Sequence, residues 1–437
     1  MTTDSFGARL WRAYSFRRNL RNLVQAPDSH DRPLDGLRAL SILWVLSIHT
    51  IWFLPVMLSV DDFRVEFDRF ENNVFIRWLH RGELGVDLFF VLSGYLIGSL
   101  LMKEHSANGS ISIGLFYVRR FMRLMPVYFL VLGLAYLAGF PNSHNIWANL
   151  LYVNNFIPIK DEFLNWTWSL AIEEQFYIVF PFFLVGLYRL GGRLKVLAGL
   201  LGLSVVIRMV LIFHHHFTLP IVMHPIFDET RANHFYDTIY LMPHARYGSL
   251  LAGVIVAYLL QYTKVRETLR ERSGLNSALL FGGMAAIILV ASVPIYSARA
   301  WPAGLDMAYL AISFPLFGVG AGAVLLAVIC AAGAARPVAK ILSARFWLPI
   351  AQLSYSAYLV HPIVMVGMYL GEKQKGTVGP IGSNIVSMYL RNVVFVLIVS
   401  LILYLLIEKP IMNLRPLSKK SAEGKASDDA AKSMEST

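Results

Sequence analysis

Arg38 and His49 stand eleven residues apart in one apolar stretch, 35–58, which reads DGLRALSILWVLSIHTIWFLPVML. At about 100° per residue that spacing returns to nearly the same helix face after three turns, with about 16 Å between the side chains along the axis. One can therefore mark a membrane edge while the other lies inside the bilayer. An ionisable group at that depth costs a few kcal/mol and by default marks a functional site. A histidine satisfied by a neighbouring helix is the competing structural reading.

Other residues join them. The segment NWTWSLAIEEQFYIVFPFF carries the adjacent acids Glu173 and Glu174. Trp166, Ser169, Glu173, Tyr177 and Phe180 share a helix face there, which assigns Glu173 to the interior. LPIAQLSYSAYLVHPIVMV places Ser354, Tyr358 and His361 on one face, and Pro362 is expected to kink that helix and free backbone groups. Asp87, at the outer mouth of a span, is either an arginine's partner or a substrate contact, with the structural role favoured. Counted from the outer boundary, His49, Glu173, His361 and Arg208 fall in one layer of the bilayer. A histidine that accepts a proton, an acid that orients it and an arginine toward the cytoplasm suit general-base activation of a hydroxyl. No Gly-x-Ser-x-Gly signature calls for a serine nucleophile.

Membrane helices must position these groups. The chain has 437 residues, 56% hydrophobic and only 15% charged, far from a soluble average of about 25% charged. Apolar runs at 36–56, 84–102, 124–140, 166–188, 194–213, 246–260, 276–295, 305–330, 347–370 and 385–407 predict ten spans. Of the 39 Lys and Arg, 26 fall in connections on the side holding both termini and 9 on the other. This positive-inside asymmetry puts both termini in the cytoplasm and assigns the net charge of +11 to topology rather than to nucleic acid. The expected class is an all-α polytopic integral membrane protein of about ten transmembrane helices.

Its expected parts are a basic cytoplasmic segment over 1–34, a transmembrane domain over 35–410 and a disordered cytoplasmic tail over 411–437. The first segment is too polar for a cleaved signal peptide. Phe6, Leu10, Trp11 and Tyr14 among five arginines fit either a helix lying on the inner leaflet or a disordered basic tail. In the second span, Gly94 and Gly98 allow close helix approach. Arg119, Arg120 and Arg123, in FYVRRFMRLMPVY just before the third span, are explained by inner-side anchoring, yet a phosphate-rich cytosolic ligand needs the same cluster. The long outer loop after the fifth span holds His214, His215, His216, His224, His234 and His244. Their spacing fits no zinc motif, so no metal is expected and the loop reads as part of an acceptor-binding surface. The single cysteine, Cys330, sits in an apolar run as a packing residue.

Five blocks carry a family resemblance: DGLRALSILWVLSIH, GVDLFFVLSGYLI, YVRRFMRLMP, WSLAIEEQFYIVFP and LSYSAYLVHP. Together they resemble the membrane acyltransferase 3 family, which includes bacterial O-antigen and exopolysaccharide O-acetyltransferases acting on lipopolysaccharide and related glycans. The resemblance implies an O-acetyltransferase of the bacterial inner membrane. It would take an acyl group, usually acetyl from cytosolic acetyl-CoA, and pass it to a hydroxyl of a carbohydrate or lipid-linked glycan. Carried over, Arg38 and His49 match the family's essential pair, Arg119, Arg120 and Arg123 its arginine block on the CoA side, and Glu173 its acid. Ser354, Tyr355 and His361 match its late serine, tyrosine and histidine block. No hydrolase-like domain is expected after the tenth span, unlike in one branch of the family.

The expected roles are then His49, Arg38 and Glu173 in catalysis, with Glu173 orienting His49. Arg119, Arg120 and Arg123 would hold the acyl-CoA. Ser354, Tyr355, Tyr358, His361, Asp87 and Arg208 would contact substrate. Transfer is either direct or through a transient acyl group on His49. The rival class is a glycolipid or small-molecule transporter or flippase, which predicts an inverted internal repeat that the sequence does not display.

Overall fold

The computed structural model describes residues 6–25, 32–219, 228–295, 302–376, 381 and 384–414. In chain order the helices are α1 Phe6–Ala13, α2 Phe16–Val24, α3 Pro33–Trp52, α4 Val60–Asn72, α5 Val74–His80, α6 Leu84–Asn108, α7 Ile113–Leu137, α8 Ile146–Leu150, α9 Trp168–Tyr188 and α10 Arg193–His214. There follow α11 Glu229–Phe235, α12 Pro243–Tyr262, α13 Val265–Glu271, α14 Ser273–Ser292, α15 Ala303–Cys330, α16 Ala335–Leu342, α17 Trp347–Gln374, α18 Ile385–Leu403 and α19 Lys409–Leu414. Among the described residues nine helices are long and apolar enough to cross a membrane, or ten if α12 and α13, bent by 83°, count together as one span. Each expected span coincides with one of these. The chain is an all-α, multi-pass membrane protein.

Residue choice explains the ends and joints. Pro33 at the start of α3 needs no intrahelical donor there, and Gly109 takes φ +68° just past α6, where a side chain would be strained. The helices α6 and α12 press together at their glycines. A Cβ on Gly94 would lie 1.9 Å from the Leu250 carbonyl oxygen, and one on Gly253 would lie 2.0 Å from that of Val91. α3, α6, α15 and α17 are the most enclosed spans. α10, α14 and α18 turn side chains such as Val210, Leu289 and Val394 outward to lipid.

α7 begins eleven residues before the apolar run that announced it, so Arg119, Arg120 and Arg123 ride on its first turns instead of preceding it. Long arginine stems cover apolar surface while their charged ends reach polar surroundings, which lets a helix continue through such a segment. The N-terminal segment is helical over Phe6–Ala13 and Phe16–Val24. It is tied beneath the bundle: Asn413 Nδ2 donates to the Ala13 carbonyl at 3.1 Å and Gln352 Nε2 to the Asn22 carbonyl at 2.9 Å. Trp11, Tyr14 and Phe16 stay exposed. α19 runs four residues past the expected boundary at 410, and the tail from 415 onward lies outside the described residues.

Candidate active site

Toward the end of the bundle expected to face outward lies a chamber of about 490 Å³, the outer chamber. His49 faces it from α3, with Trp52, Phe53, Trp166, Trp168 and Tyr240 among its walls. Burying the last turns of α3 against α17 brings His49 to His361, their ring centroids 4.5 Å apart and their planes 74° apart. His49 Nδ1 lies 2.8 Å from the Val45 carbonyl and donates to it, which leaves Nε2 as the basic nitrogen. His361 is wholly buried, and its Nδ1 donates to the Tyr358 carbonyl at 2.7 Å. That carbonyl is the one whose helical donor Pro362 lacks, so the expected release of a backbone group happens and the histidine takes it up.

Toward the other end, expected to be cytoplasmic, lies a smaller chamber of about 110 Å³, the cytoplasmic chamber. Arg38 lines it from α3, Arg120 and Arg123 from α7, Glu173 and Tyr177 from α9, and Ser354 and Tyr355 from α17. The Tyr177 hydroxyl donates to Glu173 Oε2 at 2.7 Å and sits against Ser93 Oγ. The Arg120 guanidinium lies over the Tyr177 ring at 4.7 Å. The Tyr355 hydroxyl donates to the Leu124 carbonyl at 2.6 Å, bracing α17 on α7. Three guanidinium groups and one carboxylate line this chamber, with Glu174 and Glu408 also near the arginines.

Tyr358 lines both chambers. Its hydroxyl meets Ser169 Oγ at 2.5 Å and donates to the Trp166 carbonyl at 2.8 Å, so α9 and α17 are latched at the wall between them.

Several expected contacts fall elsewhere. Glu173 shares a face with Ser169 and Tyr177 as its spacing requires, but it lines the cytoplasmic chamber and its partner is Tyr177, not His49. The four groups assigned to one layer therefore divide, with only His49 and His361 in contact, because small errors at each span edge add up between helices that do not touch. Glu174 is the more buried of the two acids, Glu173 being half-buried where it borders the chamber. Arg208 contacts no chamber. Its Nε donates to the Ala311 carbonyl, which Pro315 leaves without a helical donor, at 3.0 Å, and its other nitrogens reach the Ala245 and Leu310 carbonyls at 3.0 and 2.6 Å. It is a structural clamp and not a substrate contact. Asp87 takes the structural role favoured for it, accepting from Arg246 and Ser249 at 2.8 Å each while wholly buried. Arg119 is absent from the wall that Arg120 and Arg123 line.

Of the six loop histidines, His224 lies outside the described residues, and His215 Nδ1 and His234 Nε2 lie 3.2 Å apart. No group of three or more metal-ligating side chains comes together among the described residues. Arg246 escaped the sequence reading. Its guanidinium lies 4.0 Å from the Phe314 ring centroid and 4.7 Å from that of Tyr240, and the only signal was an unpaired arginine at a span mouth. Glu408, in LLIEKP, is also buried and accepts from Ser356 Oγ at 2.7 Å. In the segment before α9, burial pushes the Glu162 carboxyl up to about 9, a rise only partly offset by Asn154, which donates to its Oε2 at 3.0 Å.

Comparison with known proteins adds the following. A family described as an acyltransferase domain matches residues 32–409. "Nose resistant to fluoxetine protein 6" of Caenorhabditis elegans is 26% identical over 395 residues, covering 81% of this chain and 47% of that protein. "Peptidoglycan O-acetyltransferase OatA" of Listeria monocytogenes is 28% identical over 353 residues, covering 76% of this chain and 49% of that protein. The chain thus spans about half the length of these relatives. No solved structure matches it.

Proposed function

This chain belongs to the acyltransferase family matched over residues 32–409, and on that premise we propose that it is a membrane O-acyltransferase carrying a short acyl group from cytosolic acyl-CoA to a carbohydrate hydroxyl. The single observation that carries the reading is the placement of His49. Its free Nε2 belongs to an aromatic outer chamber, directly across one wall from an arginine-lined chamber on the cytoplasmic side. A transferase that takes its donor from one face and its acceptor from the other needs that arrangement.

The residues divide the work by chamber. Arg120 and Arg123 hold the phosphates of the donor, and Arg38 lines the same chamber. Glu173 and Tyr177 fix the Arg120 side of that wall rather than the base. In the outer chamber, Trp52, Trp166 and Trp168 offer flat faces to the apolar sides of a sugar ring, which is why a glycan is the acceptor proposed. His49 Nε2 removes the acceptor's hydroxyl proton as that oxygen attacks the thioester carbonyl. The carbon–oxygen bond forms, the carbon–sulfur bond breaks, and the proton held on His49 returns to the departing sulfur, leaving the thiol and a neutral base. A bacterial inner membrane is the compartment that gives such a protein acyl-CoA on one side and envelope glycan on the other.

The test is CoA release from acetyl-CoA by purified protein in detergent, wild type beside His49→Ala, with melting recorded for both. Release by wild type and none by a normally melting variant supports the reading. Normal turnover in the variant removes His49 from the mechanism. Failure of acetyl-CoA either to react with or to stabilise the wild type overturns the acyl-CoA donor and returns the transporter class to consideration.

A further inference from the structure

α1 and α2 carry charge that neither chamber uses. Residues 5–27 hold five arginines and no acid. Among the described residues none of Arg17, Arg18 and Arg21 has an ion-pair partner, and all three are exposed. Trp11, Tyr14, Phe16, Leu20 and Val24 are exposed beside them. We infer that α1 and α2 form a docking surface for anionic phospholipid at the cytoplasmic edge of the membrane, the arginines meeting headgroup phosphates and the apolar residues reaching the acyl chains. This holds whether or not the chain is an acyltransferase.

The position of α2 selects lipid as the partner. Leu23 of α2 clusters with Leu353 of α17, with Leu397 and Leu401 of α18, and with Tyr404 and Leu405 in the helical turn that continues α18. α18 is a lipid-facing span, with Val394, Ile398, Ile402 and then Leu406 exposed at intervals of four residues. α2 therefore lies at the perimeter of the bundle, beside a surface that lipid covers, and not under its centre. It is also fixed there. Asn19 Nδ2 donates to the Ala13 carbonyl at 3.0 Å, Asn413 Nδ2 to Asn19 Oδ1 at 2.9 Å, and Gln352 Nε2 to the Asn22 carbonyl at 2.9 Å. The arginines are thus presented by a folded helix whose ordering is complete before any lipid binds.

The order of residues around α2 is the one a membrane edge requires. Asn19 and Leu23 are buried against the bundle, Phe16, Leu20 and Val24 form the next row, and Arg17 and Arg21 the row after that, each turned by roughly 80° from the one before. A basic helix lying in the interface puts its apolar row against acyl chains and its guanidinium groups at the depth of the phosphates. Trp11 and Tyr14 are the residue types that settle at headgroup level. Guanidinium groups bind phosphate oxygens in pairs, and several together near the membrane favour anionic over neutral lipid. A soluble acidic partner would use the same arginines but gives no reason for an apolar row beside a lipid-facing span.

The experiment places the full chain in nanodiscs of phosphatidylcholine mixed equally with phosphatidylglycerol, with bromine on the acyl chains of one lipid at a time. Leu20→Trp puts a fluorescent reporter in the apolar row, and subtracting the wild-type signal removes the nine native tryptophans. The reporter should be quenched by brominated chains and shielded from aqueous iodide. Brominated phosphatidylglycerol should quench it several-fold more than brominated phosphatidylcholine, a preference that raised salt reduces. Adding Arg17→Gln, Arg18→Gln and Arg21→Gln together should bring the two lipids to equal quenching with melting unchanged. Trp11→Phe, read as the signal it removes, serves in the same way if Leu20→Trp fails to fold. Quenching by iodide and not by bromine overturns the lipid surface and points to a soluble acidic partner. Equal quenching by both lipids before the arginines are replaced, or a preference that survives their replacement, overturns recognition of anionic headgroups by these arginines.

Discussion

His361 meets His49 edge to face at 4.5 Å, and each ring is turned by a backbone carbonyl of its own helix, Tyr358 for one and Val45 for the other. The pair sets the tautomer of both rings without any carboxylate. It also links the base to a side chain that lines both chambers, because the carbonyl that His361 holds belongs to Tyr358.

His49→Ala should lower acyl transfer by about 10²–10⁴-fold, the span expected for loss of a general base. His49 is half-buried and bordered by a chamber, so its truncation adds to an existing space, and melting should shift little. Stopped CoA-release assays beside a melting curve check both.

His361→Phe keeps the edge-to-face contact but strips the donor from the Tyr358 carbonyl that Pro362 leaves bare. An unpaired buried carbonyl costs about 1–3 kcal/mol, so stability should fall by that amount in a denaturant titration. If His361 positions the base, kcat should fall while KM for acyl-CoA stays constant, a split that loss of folding alone does not produce.

Arg120→Ala and Arg123→Ala should each raise KM for acyl-CoA by about tenfold, the equivalent of one charge-assisted hydrogen bond. Lysine at either position should recover part of the loss, since it keeps the charge without the fork. Raising ionic strength should weaken the wild type's donor affinity more than that of either alanine variant.

Arg208→Leu tests the clamp. It leaves the Ala311, Ala245 and Leu310 carbonyls without their guanidinium partner, at about 1–3 kcal/mol for each carbonyl left bare. Melting temperature should drop sharply while KM of the folded fraction is unchanged. A KM effect without loss of stability would restore it as a substrate contact.

Glu162 makes stability depend on pH. Its carboxyl titrates near 4.5 when free and is raised to about 9 in the folded chain by burial. The native state therefore keeps a proton that the unfolded state releases, so the stability associated with this group is full below about pH 4.5 and is lost progressively as pH rises to about 9. Glu162→Gln, a neutral mimic, should flatten the fall of melting temperature across that window. An unchanged slope would mean another group is responsible.

Some of this protein is legible along a single helix. The ten spans follow from apolar runs, and the common face of Arg38 and His49, or of Ser169, Glu173 and Tyr177, follows from a period of about 3.6 residues, which packing cannot alter. The proline at 362 announces a bare carbonyl for the same reason. The partner of Glu173 was not legible, because a period fixes a direction from the helix axis but not which neighbour stands there. Depth along the membrane is no substitute: an error of a few residues in each span edge, at about 1.5 Å per residue, moves a side chain from one chamber to the other. Arg208, Asp87 and Arg246 look alike in sequence, as charges within or beside apolar spans. Only the tertiary structure shows which meet carbonyls or each other and which face open space. Val86 is the extreme case: it carries no chemical signal of its own, and only the tertiary structure shows that it lines both chambers together with Tyr358.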